Sequence, residues 1–528
     1  MFYFLKGPKR VLLSATILTC LLFTTSAYAG NNLSLWNDTS IVFTDLSGPG
    51  QSSSSMTEGI RHYSVLDLKS RGKLDSYDYS FGIGFKATDD KRRDSKKFSL
   101  TSLSGRLSNR VHTFNIGDTY ESFSKYSLNT AIKGASYHYL NNANQIPEIT
   151  LLGGIAYTRW DNFWDTDATE RKLYAARIKQ DLTADLWLAA SAVVIKDNRR
   201  NFGSPLYDGN TLSFDLEYRP LPGLTIVGES SFSHIDEDNL TSGTIKHNGQ
   251  AYRLEAIGDQ NPSRVVLEYE RVDPDYLSIA GSATADREKF KASWRYKYTR
   301  RLTVTTAFLW YRDNLDGQLA VRTQHYKPEI SFRLQRMFNR RYAVGTLGYK
   351  MDRSYSSAAS TQNHFINVSY RDRFGIFDST TNLGMTYYET RTVRKNDEFV
   401  ANTSLSTRMT KGAIIWKPTI YLGTWHSDNE LNDEVDHSYE YSVGLGCDIP
   451  SKKITSQLKV GKHKLFKESA DDAERFYASL NVYYRPRLFA RLKNSTLYLR
   501  GLINDYDYTT DSRDFRENRI TVGFSVRF

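Results

Sequence analysis

The sequence predicts an all-β chain closed into one large antiparallel barrel of about 26 strands, within a range of about 22–26. Three observations predict it. Apolar and polar side chains alternate with a two-residue period along most of the chain. The connections between alternating runs are tight and long by turns. The chain also closes on such a run, "NRITVGFSVRF", Asn518 to Phe528, with Ile520, Val522, Phe524, Val526 and Phe528 on one side and Arg519, Thr521, Gly523, Ser525 and Arg527 between them.

The first residues read as a leader and not as part of the fold. Lys6, Lys9 and Arg10 precede an apolar stretch from Val11 to Phe23, and Ala27-Tyr28-Ala29 forms a small-x-small cleavage site. The expected division is a signal peptide over 1–29 and a barrel over 30–528. An alternative in which Cys20 is lipidated has Thr19 before it and an apolar core continuing through Leu21-Leu22-Phe23. Beyond the leader only Cys447 remains, which excludes an intramolecular disulfide, a cysteine zinc site and covalent haem attachment.

Mean hydropathy is −0.53, and no run of 18 apolar residues follows the leader, so helical membrane spans are excluded. A barrel escapes that test, because only every second residue of a strand meets lipid. The 35 Tyr, 27 Phe and 12 Pro suit many long strands with aromatic girdles. A large soluble β-solenoid shares that bias.

Taken in order, the first strand is expected near Leu33–Thr44, and "GPGQSSSSMTEG", Gly48–Gly59, reads as a loop. Tyr77 to Phe85, Leu212 to Tyr218, Phe290 to Tyr298, Tyr439 to Cys447 and Phe476 to Tyr484 each place apolar residues at every second position. That is the mark of a strand with one apolar and one wet face. Roughly 20 such strands follow Glu148, and about six weaker ones precede it. "GDTYESFSKYSLNTAIKGASYHY", Gly117–Tyr139, breaks the alternation around Glu121–Tyr126. It reads equally as a loop folding inward or as an irregular hairpin.

The connections add a direction. Tight turns include Arg219–Gly223, Thr299–Arg301, Asn339–Arg341, Arg371–Gly375 and Pro450–Lys453. Longer polar connections lie between them at Val272–Glu288, His426–Ser438 and Asp505–Phe515. Short turns at one rim and longer loops at the other are the habit of outer-membrane barrels, with the short turns periplasmic. An open sheet edge in lipid would leave unpaired backbone groups costing several kcal/mol each, so such a sheet must close.

The terminal alternation, ending on an aromatic, resembles the C-terminal assembly signal of Gram-negative outer-membrane β-barrel proteins of the porin-like kind. The resemblance implies an outer-membrane location in a Gram-negative bacterium, contact with outer-membrane lipid, and reading of Ile520, Val522, Phe524, Val526 and Phe528 by the barrel-assembly machinery.

The net charge of +11 includes the three leader cations. The remaining surplus falls on the wet faces of strands, so its placement argues for a lumen and not for nucleic acid. Arg177, Lys179, Lys289, Lys291, Arg295, Lys297, Arg333, Arg371, Lys459, Arg475, Arg485 and Arg500 form a candidate basic lumen wall. Asp215, Glu217, Glu255 and Glu268 share that face. The wall reads either as an anion-attracting surface for an acidic polymer or protein, or as a solvated lining of mixed charge. The acidic stretch Asp428–Asp436, between His426 and His437, lacks the spacing of a calcium loop, so no metal and no cofactor is assigned. Cys447 is expected to face lipid.

A closed sheet of 26 strands has a backbone diameter of roughly 50 Å, and side chains trim about 10 Å from each wall. The sequence shows no plug domain, so the lumen is expected to be flattened or partner-filled, unless the strands are fewer. The broadest functional reading is a porin-like channel for solutes or an exported polymer. A second reading is a sheath around a multihaem cytochrome. The strand count looks somewhat like the barrel of porin–cytochrome conduits, although the Cys pair of one such family is absent. A third, disfavoured reading is a rim-active hydrolase, for which no nucleophile signature is present.

Overall fold

A computed structural model describes residues 33–140, 146–164, 168–198, 204–239, 243–356, 359–390, 393–486 and 494–527. The expected leader, with Ala27 and Ala29, and Phe528 lie outside the described residues. Twenty-seven strand segments run from β1 (Leu33–Ser47) to β27 (Phe515–Arg527). β21 (Met409–Lys411) prolongs β20 (Arg394–Thr407), since both pair with β22 (Ile414–Asn429). Each stave pairs antiparallel with its sequence neighbours, and β1 pairs with β27 from Trp36↔Arg527 to Ser47↔Arg516. The result is a closed barrel of 26 strands, in which the first and last strands seal the ends of the sheet to each other.

The alternation sets the two faces. Along β10 (Leu206–Leu221), Leu212 and Phe214 are exposed on the outside while Thr211, Ser213 and Asp215 are buried on the inside. Along β27, Ile520 and Val522 point outward at 49% and 56% exposure, while Glu517 is buried on the lumen face. Val443, Leu445 and Cys447 share the outward face of β23 (Glu434–Ile449).

Most strands are longer than the 9–11 residues a membrane crossing needs; β12 (Gly243–Gln260) has 18. This shortens two of the expected loops. β22 and β23 leave only residues 430–433 between them, and β26 (Asn494–Tyr508) runs on past Asp505. Cross-strand pairing continues as far as Asn429↔Glu434, beyond the point where turn-forming residues suggested that it stop. The expected loop Gly48–Gly59 joins β1 to β2 (Gly59–Leu74), and the connection between β13 (Ser263–Val272) and β14 (Arg287–Lys297) keeps its length.

One hairpin leaves the wall. β5 (His112–Ser124) pairs with β4 (Phe98–Ser108) only over Thr113–Gly117. β6 (Leu128–Tyr139) pairs with β7 (Glu148–Ile155) only over Lys133–Tyr139. Beyond those points β5 and β6 pair with each other alone, from Thr119↔Ile132 to Ser124↔Leu128. Two glycines face each other where the hairpin departs, Gly117↔Gly134. Gly117 has φ +95°, a left-handed conformation that side chains resist. At Gly134 a β-carbon would fall on the Gly153 carbonyl oxygen and lie 2.6 Å from the Gly154 Cα. The expected choice between an inward loop and an irregular hairpin is thereby decided: it is a hairpin, and it turns inward.

Candidate functional site: the lumen and its two walls

The detached hairpin lies across the inner faces of β8 (Arg171–Thr183) to β13. Phe123, Leu128 and Ile132 pack on Leu152, Leu173, Ala175, Val193 and Ile195, which strand alternation points at the lumen. An apolar layer inside a polar lumen exists because these residues exclude water from one another; each contributes about 1.5–3 kcal/mol when fully buried. Ser127 at the tip hydrogen-bonds the Ser213 hydroxyl at 2.9 Å. The Tyr126 N–H donates to Glu229 Oε1 at 3.0 Å.

The β13–β14 connection folds down onto this tip. The Tyr276 hydroxyl meets Ser231 Oγ at 2.9 Å and donates to the Tyr126 carbonyl at 3.0 Å. The Asn129 N–H donates to the Ala280 carbonyl at 2.7 Å. Burial pushes the Tyr276 phenol up to about 12, so it stays neutral and able to donate. Beside it Lys125 pairs with Glu270, and Lys289 bridges Glu268 at 2.8 Å and Glu270 at 2.9 Å. Two cations thus neutralise two carboxylates that are nearly buried.

The vacated wall is closed from β4 and from the β7–β8 connection. The Leu103 N–H, which has lost its place beside β5, donates to the Asp118 carboxylate at 2.7 Å. The same oxygen accepts from the Trp160 indole at 3.1 Å, and Lys133 pairs with the other. Arg159 reaches Asp94 at 2.8 Å. Burial alone would raise the Asp94 carboxyl; the Lys96 N–H and the pairs with Lys86 and Arg159 outweigh it and hold it well below the usual carboxylate range. In that connection Trp160 stacks on Phe163, and Tyr157 meets Phe163 edge-on. Asp118→Ala leaves three donors without a partner, so it is expected to cost about 3 kcal/mol, read as a lowered midpoint in thermal unfolding followed by circular dichroism.

The expected basic wall divides in two. Arg177 pairs with Asp215 at 2.9 Å and Lys179 with Glu148 at 3.5 Å, and Lys289 is spent on Glu268 and Glu270. These residues hold the covered wall together. Lys291, Arg295, Lys297, Arg333 and Arg371 have no carboxylate within ion-pair distance among the described residues. Lys459 and Arg475 lie over the Tyr477 ring at 5.0 and 5.2 Å, and Arg500 over Tyr498 at 4.6 Å. Arg485 stands one residue past the end of β25 (Ala473–Tyr484), exposed at the short-turn rim, and is not part of the strand wall. Its backbone N–H donates to the Lys453 carbonyl at 3.0 Å.

Sequence reasoning missed the inner layer. Its trace was "LAASAVVI", Leu188–Ile195, a strand apolar on both faces, which signals a second layer on the inside. Among the described residues no group of three or more His, Cys, Asp or Glu is placed to hold a metal ion. The nearest thing to a catalytic relay is His138, whose Nε2 faces both Glu121 at 2.8 Å and Ser136 at 3.4 Å. One nitrogen meets both groups, so the carboxylate does not orient the ring for the serine as a nucleophile relay requires.

A closed antiparallel barrel with an apolar outer belt and a polar, charged interior has the architecture of a transmembrane β-barrel. No protein-family model and no curated protein matches the sequence. Among solved structures, the translocation pore of the P pilus usher PapC is similar over 94% of this chain and 99% of its own, at 8% identity and a TM-score of 0.45. The outer membrane transporter YddB from Escherichia coli is similar over 94% of this chain and 81% of its own, at 9% identity and 0.46. The outer membrane protein OpdK from Pseudomonas aeruginosa is similar over 94% and 99%, at 10% identity and 0.30. These are likenesses of shape only.

Proposed function

We propose that the protein is a wide outer-membrane channel for solutes or an exported polymer, with the short turns periplasmic and the longer loops outside. One observation carries the reading: a lumen bounded by 26 strands is narrowed from one side by its own hairpin, while β14 and the strands that carry Arg333 and Arg371 keep cations with no carboxylate partner among the described residues. Among the described residues the only helices are turns of three to five residues, and none of these forms a helical plug. Unpaired cations in a narrowed aqueous lumen favour anions through the local field, and salt weakens that preference.

Purified protein in planar lipid bilayers is expected to give large steps of conductance. A salt gradient should give a reversal potential on the anion side that shrinks as ionic strength rises. Absence of conducting events from folded protein would sink the channel reading.

The width of the lumen also favours a second reading, in which a partner protein such as an export component or a multihaem cytochrome occupies it. Gentle purification followed by a visible spectrum separates the two readings, because a co-purifying haem band supports the sheath.

A further inference from the structure

Where the barrel closes, the lumen face holds a pocket of about 470 Å³ between β26, β27, β1 and β2. Its lining differs from the covered wall. Arg500 and Arg519 both line it, and neither has a carboxylate within ion-pair distance among the described residues. Arg500↔Thr521 and Leu502↔Arg519 are cross-strand pairs separated by Gly501↔Ile520, so they share a face. The two arginines are therefore diagonal neighbours on one face, about 7–8 Å apart at the backbone, a separation that one anionic group can bridge. The Nε of Arg519 is buried with no hydrogen-bond partner. The one carboxylate lining the pocket, Asp38, accepts a hydrogen bond from the Tyr498 hydroxyl at 2.7 Å.

Arg93 also lines the pocket, but it lies 3.7 Å from Asp90 and over the Tyr63 ring; the rest of the lining is neutral. Asn481, Ser479 and Thr521 offer an amide and two hydroxyls around the arginines. The Trp36 indole N–H is already given to Ser525 Oγ at 3.2 Å, so the ring presents only its apolar surface. Guanidinium forks suit carboxylate and phosphate oxygens, short polar groups suit hydroxyls, and an aromatic plane suits the C–H face of a sugar ring.

We propose that this seam pocket is a binding site for an acidic saccharide, with Arg500 and Arg519 holding the carboxylate and the neutral groups reading the sugar hydroxyls. The inference rests on the channel reading, since the pocket is reached from the lumen.

The test is isothermal calorimetry on full-length protein in detergent, with trigalacturonate, maltotriose and inorganic phosphate as probes, alongside conductance of the same preparations. Trigalacturonate is expected to bind the native protein and to bind R500Q/R519Q at least tenfold more weakly. Maltotriose should not bind, and phosphate at equal concentration should not displace trigalacturonate. Arg500→Lys keeps the charge but loses the fork; it should fall between the two and guards against misfolding of the double variant.

No binding, unchanged binding in the double variant, equal binding of maltotriose, or full displacement by phosphate each overturns the proposal. A protein that conducts without binding sinks the saccharide site alone. One that binds without conducting sinks the channel reading alone.

Discussion

Gly134→Val is expected to have the largest effect of any single substitution in the wall. Gly134 sits where β6 leaves its pairing with β7, and a β-carbon there collides with the backbone of Gly153 and Gly154. Backbone cannot yield as a flexible side chain can, so either the hairpin fails to turn inward or β7 is pushed off register. A clash of this kind belongs to the severe class of core substitutions, at about 4 kcal/mol or more. The measurement is electrophoretic: folded barrels migrate faster unheated than boiled, and the variant should lose that difference at a lower temperature. An unchanged heat transition would show that the hairpin does not depend on this close approach. Replacing Gly258, where a β-carbon meets nothing within 4 Å, serves as the control.

Glu270→Ala should release the hairpin tip while leaving the barrel closed. Glu270 is nearly buried and binds both Lys125 on the hairpin and Lys289 on the wall. Its removal strands Lys125, since Lys289 keeps Glu268 at 2.8 Å, and breaking a buried pair costs about 3–5 kcal/mol. The cost falls on docking of the hairpin, because the wall strands keep their backbone ladders. Ser127 reports it: in the native fold this tip residue is 1% exposed. In a background lacking Cys20 and Cys447, a thiol introduced by Ser127→Cys should react slowly with maleimide. Adding Glu270→Ala should raise the rate at least tenfold, and channel conductance should rise as the hairpin leaves the lumen. Equal labelling rates with and without Glu270 would mean that the ion pairs do not hold the tip.

The barrel was legible because strand alternation is local. Each of Tyr77–Phe85, Leu212–Tyr218 and Tyr439–Cys447 states which of its faces meets lipid, without knowledge of any other strand. Tight turns such as Leu221–Leu224 and Phe374–Phe377 likewise close in place. The loops at His426–Ser438 and Asp505–Phe515 were misjudged in length, because polar residues on a strand projecting past the membrane look like loop residues. Alternation placed the candidate basic residues on one strand face, and Arg485 stands past the end of its strand. The division of those residues into paired and unpaired cations was not legible, since pairing depends on which carboxylate lies across the next strand.

The sequence by itself determined the all-β class, the inward and outward faces and, nearly, the number of strands, because these follow from periodicity and from turns between neighbours. Only the tertiary structure decided that the hairpin between Gly117 and Lys133 bends into the lumen, and that Lys125 and Tyr126 meet Glu270 and Tyr276 some 145 and 150 residues away. It alone also brought Arg500 and Arg519 to a seam beside Trp36. Contacts between residues that far apart exist only once the sheet has curved through its full circle. No short stretch of sequence carries that closure.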